Sequence, residues 1–430
     1  MDDHCGMERM LTGLLDASHL AGFDEMPAMV AEHAACAGLR DVVIFLADLQ
    51  QDVLRPMIGT GPATSGRTPE ELSELKIDAT LAGRAFQEVR ILSVASGEGG
   101  AISWWVPLLN GTERLGVIRV TTPDAGERYQ EAMRSLSALV ALMIVCTRRY
   151  SDSHARLVRT RSMNVAAEML WNLMPPLTFA NADVVIAGAL EPAYEIGGDA
   201  FDYSIEGNTA HLAIFDAMGH DVSAGLTANL AVAVCRNRRV EGDGLAESSR
   251  AAERTLLEEF GRDTRFVTAI LADIDASTGM LSWVNRGHHP PVLIRGGRHT
   301  LTLRCPPSHP LGLDLGMPIT VCEQQLEPGD RVLLYTDGIT EARNPHGQEF
   351  GLARFVDFII RRSADGLPIP ETLRRLIRSV LEYHHGGLQD DATVLVAEWH
   401  GDSAHRGLGD IVTPEDVRAR ASCAGDNRPA

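Results

Sequence analysis

Apolar residues recur at helical spacing over 24–37 and again over 79–89, and elsewhere they fall into short strand-like runs. The runs 41–47 (DVVIFLA) and 53–58 (VLRPMI) flank Gln50-Gln51-Asp52 and predict a hairpin. Pro62, Gly66 and Pro69 mark a loop across 60–76. Three further strands are predicted at 91–94, 102–109 and 114–121, the last two joined by Asn110-Gly111, a strong hairpin-turn pair. Together these segments predict one compact α+β unit over residues 1–126.

The pattern then changes. From Glu127 to Leu173 there is neither proline nor glycine, which predicts one long helix or two in series. No single heptad register runs through both halves, so a straight coiled coil does not follow. Pro175-Pro176 ends this helical linker, assigned to 127–176. Strands dominate from 183 onward: 184–190, 199–205, 209–216, 266–274, 280–286, 291–295, 299–304, 319–325, 331–336 and 392–399. Helices are predicted at 222–239, 245–260, 351–362 and 370–383. Mostly antiparallel strands with two helix pairs predict two packed sheets, each covered by helices, over 177–400. Residues 401–430 lack periodicity and are expected to be a disordered tail.

Composition narrows the function. The formal net charge of −19 argues against general nucleic-acid binding and against docking on an anionic membrane. The acidic start MDDHCGMERM lacks the apolar core of a signal peptide, and the strongly apolar run Leu136–Cys146 is too short to span a bilayer. Seven scattered cysteines without a CxxC pair predict reduced thiols and a cytoplasmic chain.

Five stretches stand beside strand-like runs: EIGGDAFDY (195–203), AIFDAMGHDVSA (213–224), LLYTDGITEARN (333–344) and QDDATVLVAEW (389–399), which carry acids, and WVNRGHHPPVLI (283–294), which carries paired histidines. Each alone reads as an ordinary turn, cap or strand start. Asp199, Asp216, Asp337 and Asp390 gathered in one pocket would repel each other unless cations lay between them. Oxygen donors suit hard ions such as Mg²⁺ or Mn²⁺.

In order and neighbours these strings resemble the PPM-type protein phosphatases, and within them the SpoIIE/RsbU branch of bacterial serine phosphatases. The resemblance spans 163–398 and includes AAEMLWNLMPP (166–176), FVTAILADIDASTGMLSWVNRGHHPP (266–291), HPLGL (309–313) and LEPGDRVLLYTDGITEARN (326–344). It implies an α+β chain ending in an αββα sandwich with two divalent metals, Mn²⁺ or Mg²⁺, at one end of the sheets. Carried over by position, Asp216 would bridge both ions. Asp199 and the Ala217 carbonyl would serve one, Asp337 and Asp390 the other, with Asp391 a less secure ligand. Where relatives outside this branch carry a general-acid histidine this chain has Met218. His220, two residues farther on, is a candidate for that role, with an ordinary loop histidine the favoured reading. His288 stands where other PPM enzymes have an acid near an additional metal, and Asp221 at a position often occupied by glycine.

The segment LAGRAFQEVRILSV (81–94), the Val-Pro-Leu strand at 106–108 and RLGVIRV (114–120) resemble a GAF domain over 20–125. That resemblance leaves a small-molecule sensor and a closed dimerisation module both open. The combined expectation is a homodimeric phosphoserine/phosphothreonine phosphatase of sigma-factor regulation. Its substrate would be a phosphorylated STAS-type anti-sigma-factor antagonist. The alternatives are a catalytically silent scaffold and an enzyme acting on a small phosphoester.

Overall fold

The computed structural model describes residues 2–59, 73–95, 100–195, 197–219, 221–261, 265–384, 388 and 390–401. The expected tail therefore lies outside the described residues after Gly401, as does His220. The chain divides into two compact units, Met1–Arg161 and Ser162–Ala430.

The first unit runs α1 (Asp2–Ser18), α2 (Met26–Ala34), β1 (Arg40–Ala47), β2 (Val53–Pro56), β3 (Leu75–Lys76), α3 (Leu81–Glu88), β4 (Leu92–Ala95), β5 (Ile102–Asn110), β6 (Glu113–Thr122), α4 (Glu127–Thr147) and α5 (Asp152–Val158). Its antiparallel sheet has the order β3-β2-β1-β6-β5-β4. Side chains alternate along each strand. Ile44, Leu46, Val106, Leu108, Ile118 and Val120 pack on one face with Met10 and Leu14 of α1 and Leu136, Val140 and Ile144 of α4. Val43, Phe45 and Val117 face the other way, onto Ala85 and Phe86 of α3.

Three features differ from the sequence reading. Helix α1 falls where no helix was predicted. The helix expected over Glu127–Leu173 is instead α4, a 3₁₀ turn at Arg148–Tyr150, α5, and α6 (Val165–Leu173). Ser151 and Asn164 interrupt it. Both adopt extended backbone angles, and their side chains accept from His154 N and Ala167 N respectively, so each starts a new helix as an N-cap. The linker is thus several elements, and α4 belongs to the first unit's core. The stretch Glu127–Tyr150 is long and apolar enough to cross a bilayer, contrary to the shorter apolar run counted above, but half of it is buried inside the protein.

The second unit continues with β7 (Thr178–Ala180), β8 (Val184–Glu191), β9 (Asp199–Glu206), β10 (Thr209–Ala217), α7 (Val222–Val240), α8 (Leu245–Phe260), β11 (Val267–Asp275), β12 (Met280–Arg286), β13 (Val292–Arg295), β14 (His299–Thr302), β15 (Cys322–Gln325), β16 (Asp330–Tyr335), α9 (Asp337–Thr340), α10 (Leu352–Ala364), α11 (Ile369–Tyr383) and β17 (Ala392–Trp399). One antiparallel sheet has the order β15-β12-β11-β10-β9 and the other β14-β13-β16-β17-β8-β7. In β17, Leu395 and Ala397 face the first sheet, while Val394 and Val396 face α10 and α11. In β16, Val332 and Leu334 alternate with Leu333 and Tyr335 in the same way. Strands β8, β16 and β17 of this sheet are buried on both faces, which explains why they read as unbroken apolar runs. Ala228, Ala231 and Val232 of α7 and Ala252 and Leu256 of α8 close the core of the first sheet. The layers are helix, sheet, sheet, helix.

The cysteine expectation is also corrected. Cys305 and Cys322 form a disulfide, with Cα atoms 5.8 Å apart. The chain leaves edge strand β14 of one sheet and enters edge strand β15 of the other, and that crossover returns the two residues to each other. Cys5, Cys36, Cys146 and Cys235 are free thiols.

Candidate metal centre

Antiparallel pairing of β9 with β10 puts Asp199 directly opposite Asp216. The next pairing puts Asp216 opposite Thr268 of β11. In the second sheet, β16 ends at Tyr335 just before Thr336 and Asp337, while β17 starts just after Asp390 and Asp391. Tyr335 pairs with Val394, and Thr336 N donates to Thr393 O at 3.0 Å. Both sheets therefore deliver their acids to one end of the sandwich.

Cross-sheet hydrogen bonds hold that end together. Asp391 Oδ2 accepts from the backbone N–H groups of Gly197 and Gly198, both at 2.7 Å, and of Asp199 at 3.2 Å. Thr336 Oγ1 donates to Asp199 Oδ2 at 2.6 Å and accepts from Thr393 N at 2.9 Å. Asp391 N donates to Asp390 Oδ1 at 2.9 Å. One Asp391 oxygen is thus occupied by amides that hold the turn before β9.

Two glycines permit this approach. A Cβ at Gly198 would lie 2.3 Å from the Ala217 carbonyl oxygen, and one at Gly338 would lie 1.9 Å from that of Asp391. Any side chain there would push the acid-bearing segments apart. Asp221 caps α7 through Ala224 N at 2.8 Å, which gives that departure from the family pattern a structural role. Met218 donates its N–H to Phe266 O at 3.0 Å and leaves its side chain half exposed.

Burial first, and then Asp337, Asp390 and Asp391, raise the Asp216 carboxyl to about 7, with neighbouring Thr268 opposing the shift. Relative to an ordinary aspartate this is on the order of 4 kcal/mol in favour of the protonated form. Asp199 is also raised, by burial first and then by Asp216 and Asp391, while the Thr336 hydroxyl opposes the shift. Asp391 is raised chiefly by burial, offset in part by its three amide donors.

Four of the expected ligands therefore act on Asp216 or Asp199 at short electrostatic range. Their oxygen-only chemistry and mutual repulsion fit a hard divalent cation. Among the described residues, no three His, Cys, Asp or Glu side chains already have the spacing of a closed ligand set. Thr336, Thr268 and the amide nest on Asp391 are features of this site that the sequence reading missed. Their roles arise from contacts between residues far apart in the chain, and only the TDG and GGD strings hint at them.

Residues 206–400 match the family model described as Stage II sporulation protein E (SpoIIE). Protein IcfG of Synechocystis sp. is 28% identical over 141 residues, covering 32% of this chain and 21% of that protein. Phosphoserine phosphatase RsbP of Bacillus subtilis is 27% identical over 165 residues, 37% of this chain and 41% of the relative. Phosphoserine phosphatase RsbU of the same organism is 21% identical over 279 residues, 62% of this chain and 80% of the relative. The chain therefore spans less than half the length of the first two relatives.

Proposed function

We infer, from the match of residues 206–400 to the SpoIIE family model and the likeness to RsbP and RsbU, that the C-terminal unit is an SpoIIE/RsbU-type PPM phosphatase that hydrolyses phosphoserine or phosphothreonine on a protein. The observation that carries this reading is the position of Asp216. It is half-buried next to the last residue of β10 and pushed to about 7, with Asp337, Asp390 and Asp391 all contributing. A group so placed is costly to ionise unless a cation offsets the charge. In this reading Asp216, Asp199 and the Ala217 carbonyl would hold one divalent ion, and Asp337 and Asp390 would join Asp216 on a second. Bound Mn²⁺ or Mg²⁺ would supply Lewis acidity and a water of lowered pKa.

The chain's own residues do the positioning. Thr336 fixes the rotamer of Asp199. Asp391 ties the Gly197-Gly198 turn to the second sheet, and Gly198 admits the Ala217 carbonyl. The fixed acids let the protein bind a phosphoryl group only together with cations, because the bare carboxylates repel it.

The relatives named RsbP and RsbU are phosphoserine phosphatases. By that likeness the proposed substrate is a phosphorylated STAS-type protein in sigma-factor regulation, met in the cytoplasm. The N-terminal unit is proposed as a GAF-like regulatory and dimerising module. The test is release of phosphate from the host's phosphorylated STAS proteins, with and without Mn²⁺, beside an aryl phosphate. Mn²⁺-dependent release from the protein supports the reading. Turnover of the small ester alone favours a small-phosphoester enzyme, and no turnover of either favours a silent scaffold.

A further inference from the structure

His288 follows β12 in the turn Asn285-Arg286-Gly287-His288. Asn285 holds its backbone twice: Asn285 Nδ2 donates to His288 O, and His288 N donates to Asn285 Oδ1, both at 2.9 Å. The imidazole is buried and reaches both sheets. Its Nε2 lies 3.0 Å from the Tyr335 carbonyl oxygen at the end of β16. Its Nδ1 lies 2.6 Å from Thr268 Oγ1 on β11.

These partners decide where the protons are. A carbonyl oxygen can only accept, so Nε2 carries the ring proton. Burial and the neighbouring His289 depress the imidazole to about 4, which keeps it neutral at physiological pH. Nδ1 of the neutral ring is then a bare acceptor, and the Thr268 hydroxyl must donate to it. Thr268 also pairs directly across from Asp216 in the sheet, so its side chain stands beside that carboxyl on the same face. One hydroxyl proton faces two acceptors.

We propose that His288 is a positioning residue that captures the Thr268 proton and so leaves the Asp216 oxygens available to divalent cations. The proposal rests on the metal-centre reading above. It assigns His288 a role toward the acids without making it a ligand. It also explains why the residue takes part in both sheets at the end where the acids gather. Without the Nδ1 acceptor, Thr268 would turn its proton to Asp216 and compete with a cation for the same lone pairs.

The test uses two near-isosteric substitutions in the full chain. His288→Asn keeps an acceptor near the Nδ1 position and loses the reach to Tyr335. His288→Gln keeps a donor near the Nε2 position and loses the acceptor. Mn²⁺ affinity is measured by calorimetric titration, beside thermal melts of the metal-free proteins. The Gln variant should bind Mn²⁺ about ten-fold more weakly than wild type. The Asn variant should stay within about three-fold of wild type while melting lower, because it has lost a buried hydrogen bond. Adding Thr268→Val to the Gln variant removes the misdirected proton and should restore most of the lost affinity. A merely structural brace would not show that rescue. Equal loss in Asn and Gln, or no recovery in the double variant, overturns the proposal. A wild-type chain that binds no Mn²⁺ overturns the metal-centre reading and this proposal with it, whereas Mn²⁺ binding by wild type that is unchanged in every variant overturns only the role of His288.

Discussion

Thr336 Oγ1 donates to Asp199 Oδ2 at 2.6 Å, joining the residue that follows β16 in one sheet to the first residue of β9 in the other. Both partners are buried, so neither can exchange this bond for one to water. The same hydroxyl oxygen accepts from Thr393 N. Thr336 is therefore the point at which β16, β17 and β9 are held in register around the acids.

Replacing Thr336 with valine keeps the shape and removes both hydrogen bonds. Asp199 would lose the donor that opposes its raised pKa, and Thr393 N would be left unpaired. The expected cost is about 1–3 kcal/mol of stability, with Mn²⁺ affinity lowered about ten-fold. Urea melts and Mn²⁺ titration of the same preparation check both figures. Thr336→Ser, which retains the hydroxyl, should recover most of the metal affinity.

Asp216→Asn is expected to separate activity from folding. Asp216 is raised by burial and by three neighbouring acids, so its charge works against the metal-free fold. The amide removes that repulsion. The metal-free variant should melt at or above the wild-type temperature, while Mn²⁺-dependent phosphatase turnover falls at least about 100-fold. A variant that melts as expected yet retains near-wild-type turnover removes Asp216 from the centre.

Metal should stabilise the wild-type chain by mass action, since an ion at the proposed site of Asp216, Asp337 and Asp390 would have no such site in the unfolded state. At a concentration about 100-fold above the dissociation constant the gain is about 2.7 kcal/mol. The double substitution Asp337→Asn with Asp390→Asn should abolish most of the Mn²⁺-induced rise in melting temperature. An equal rise in both proteins would locate the metal effect elsewhere.

Much of this centre was legible in the sequence because its acids end strands. Alternating or unbroken apolar runs located β9, β10, β16 and β17 to within a residue or two, and each run stopped beside an aspartate. The Asp199–Asp216 pairing then follows from a tight turn at Glu206-Gly207-Asn208. What lay beyond reach is what packing decides. The amides of Gly197, Gly198 and Asp199 meet Asp391 across almost two hundred residues, and no local pattern encodes that meeting. Ser151 and Asn164 are ordinary polar residues within a helical pattern until their backbones turn extended. Helix α1 was overlooked because acids and a glycine crowd its first turns, although Met10 and Leu14 give it a buried face.

The last expectation concerns the first unit and does not involve metal. His154 follows Ser151 at the start of α5 and packs edge-on against Phe23, with ring centroids 5.4 Å apart. Burial, then the nearby Arg148 and Arg159, depress its imidazole to about 4. The folded protein therefore keeps this ring neutral down to about pH 4, whereas the unfolded chain protonates it near 6.5. Between those values the unfolded state binds more protons, so stability rises with pH. The contribution is fully present above pH 6.5 and is lost as pH falls toward 4. Its size is about 1–3 kcal/mol, below the ideal linkage value because the ring is not completely enclosed. His154→Phe preserves the edge-on contact and removes the titration. Thermal melts of both full chains, followed by the hydrogen-exchange protection of α2 and α5, should show the wild type losing more stability than the variant across that window. The two should run parallel above pH 7. Parallel behaviour throughout would mean that His154 is charged, or exposed, in the folded protein.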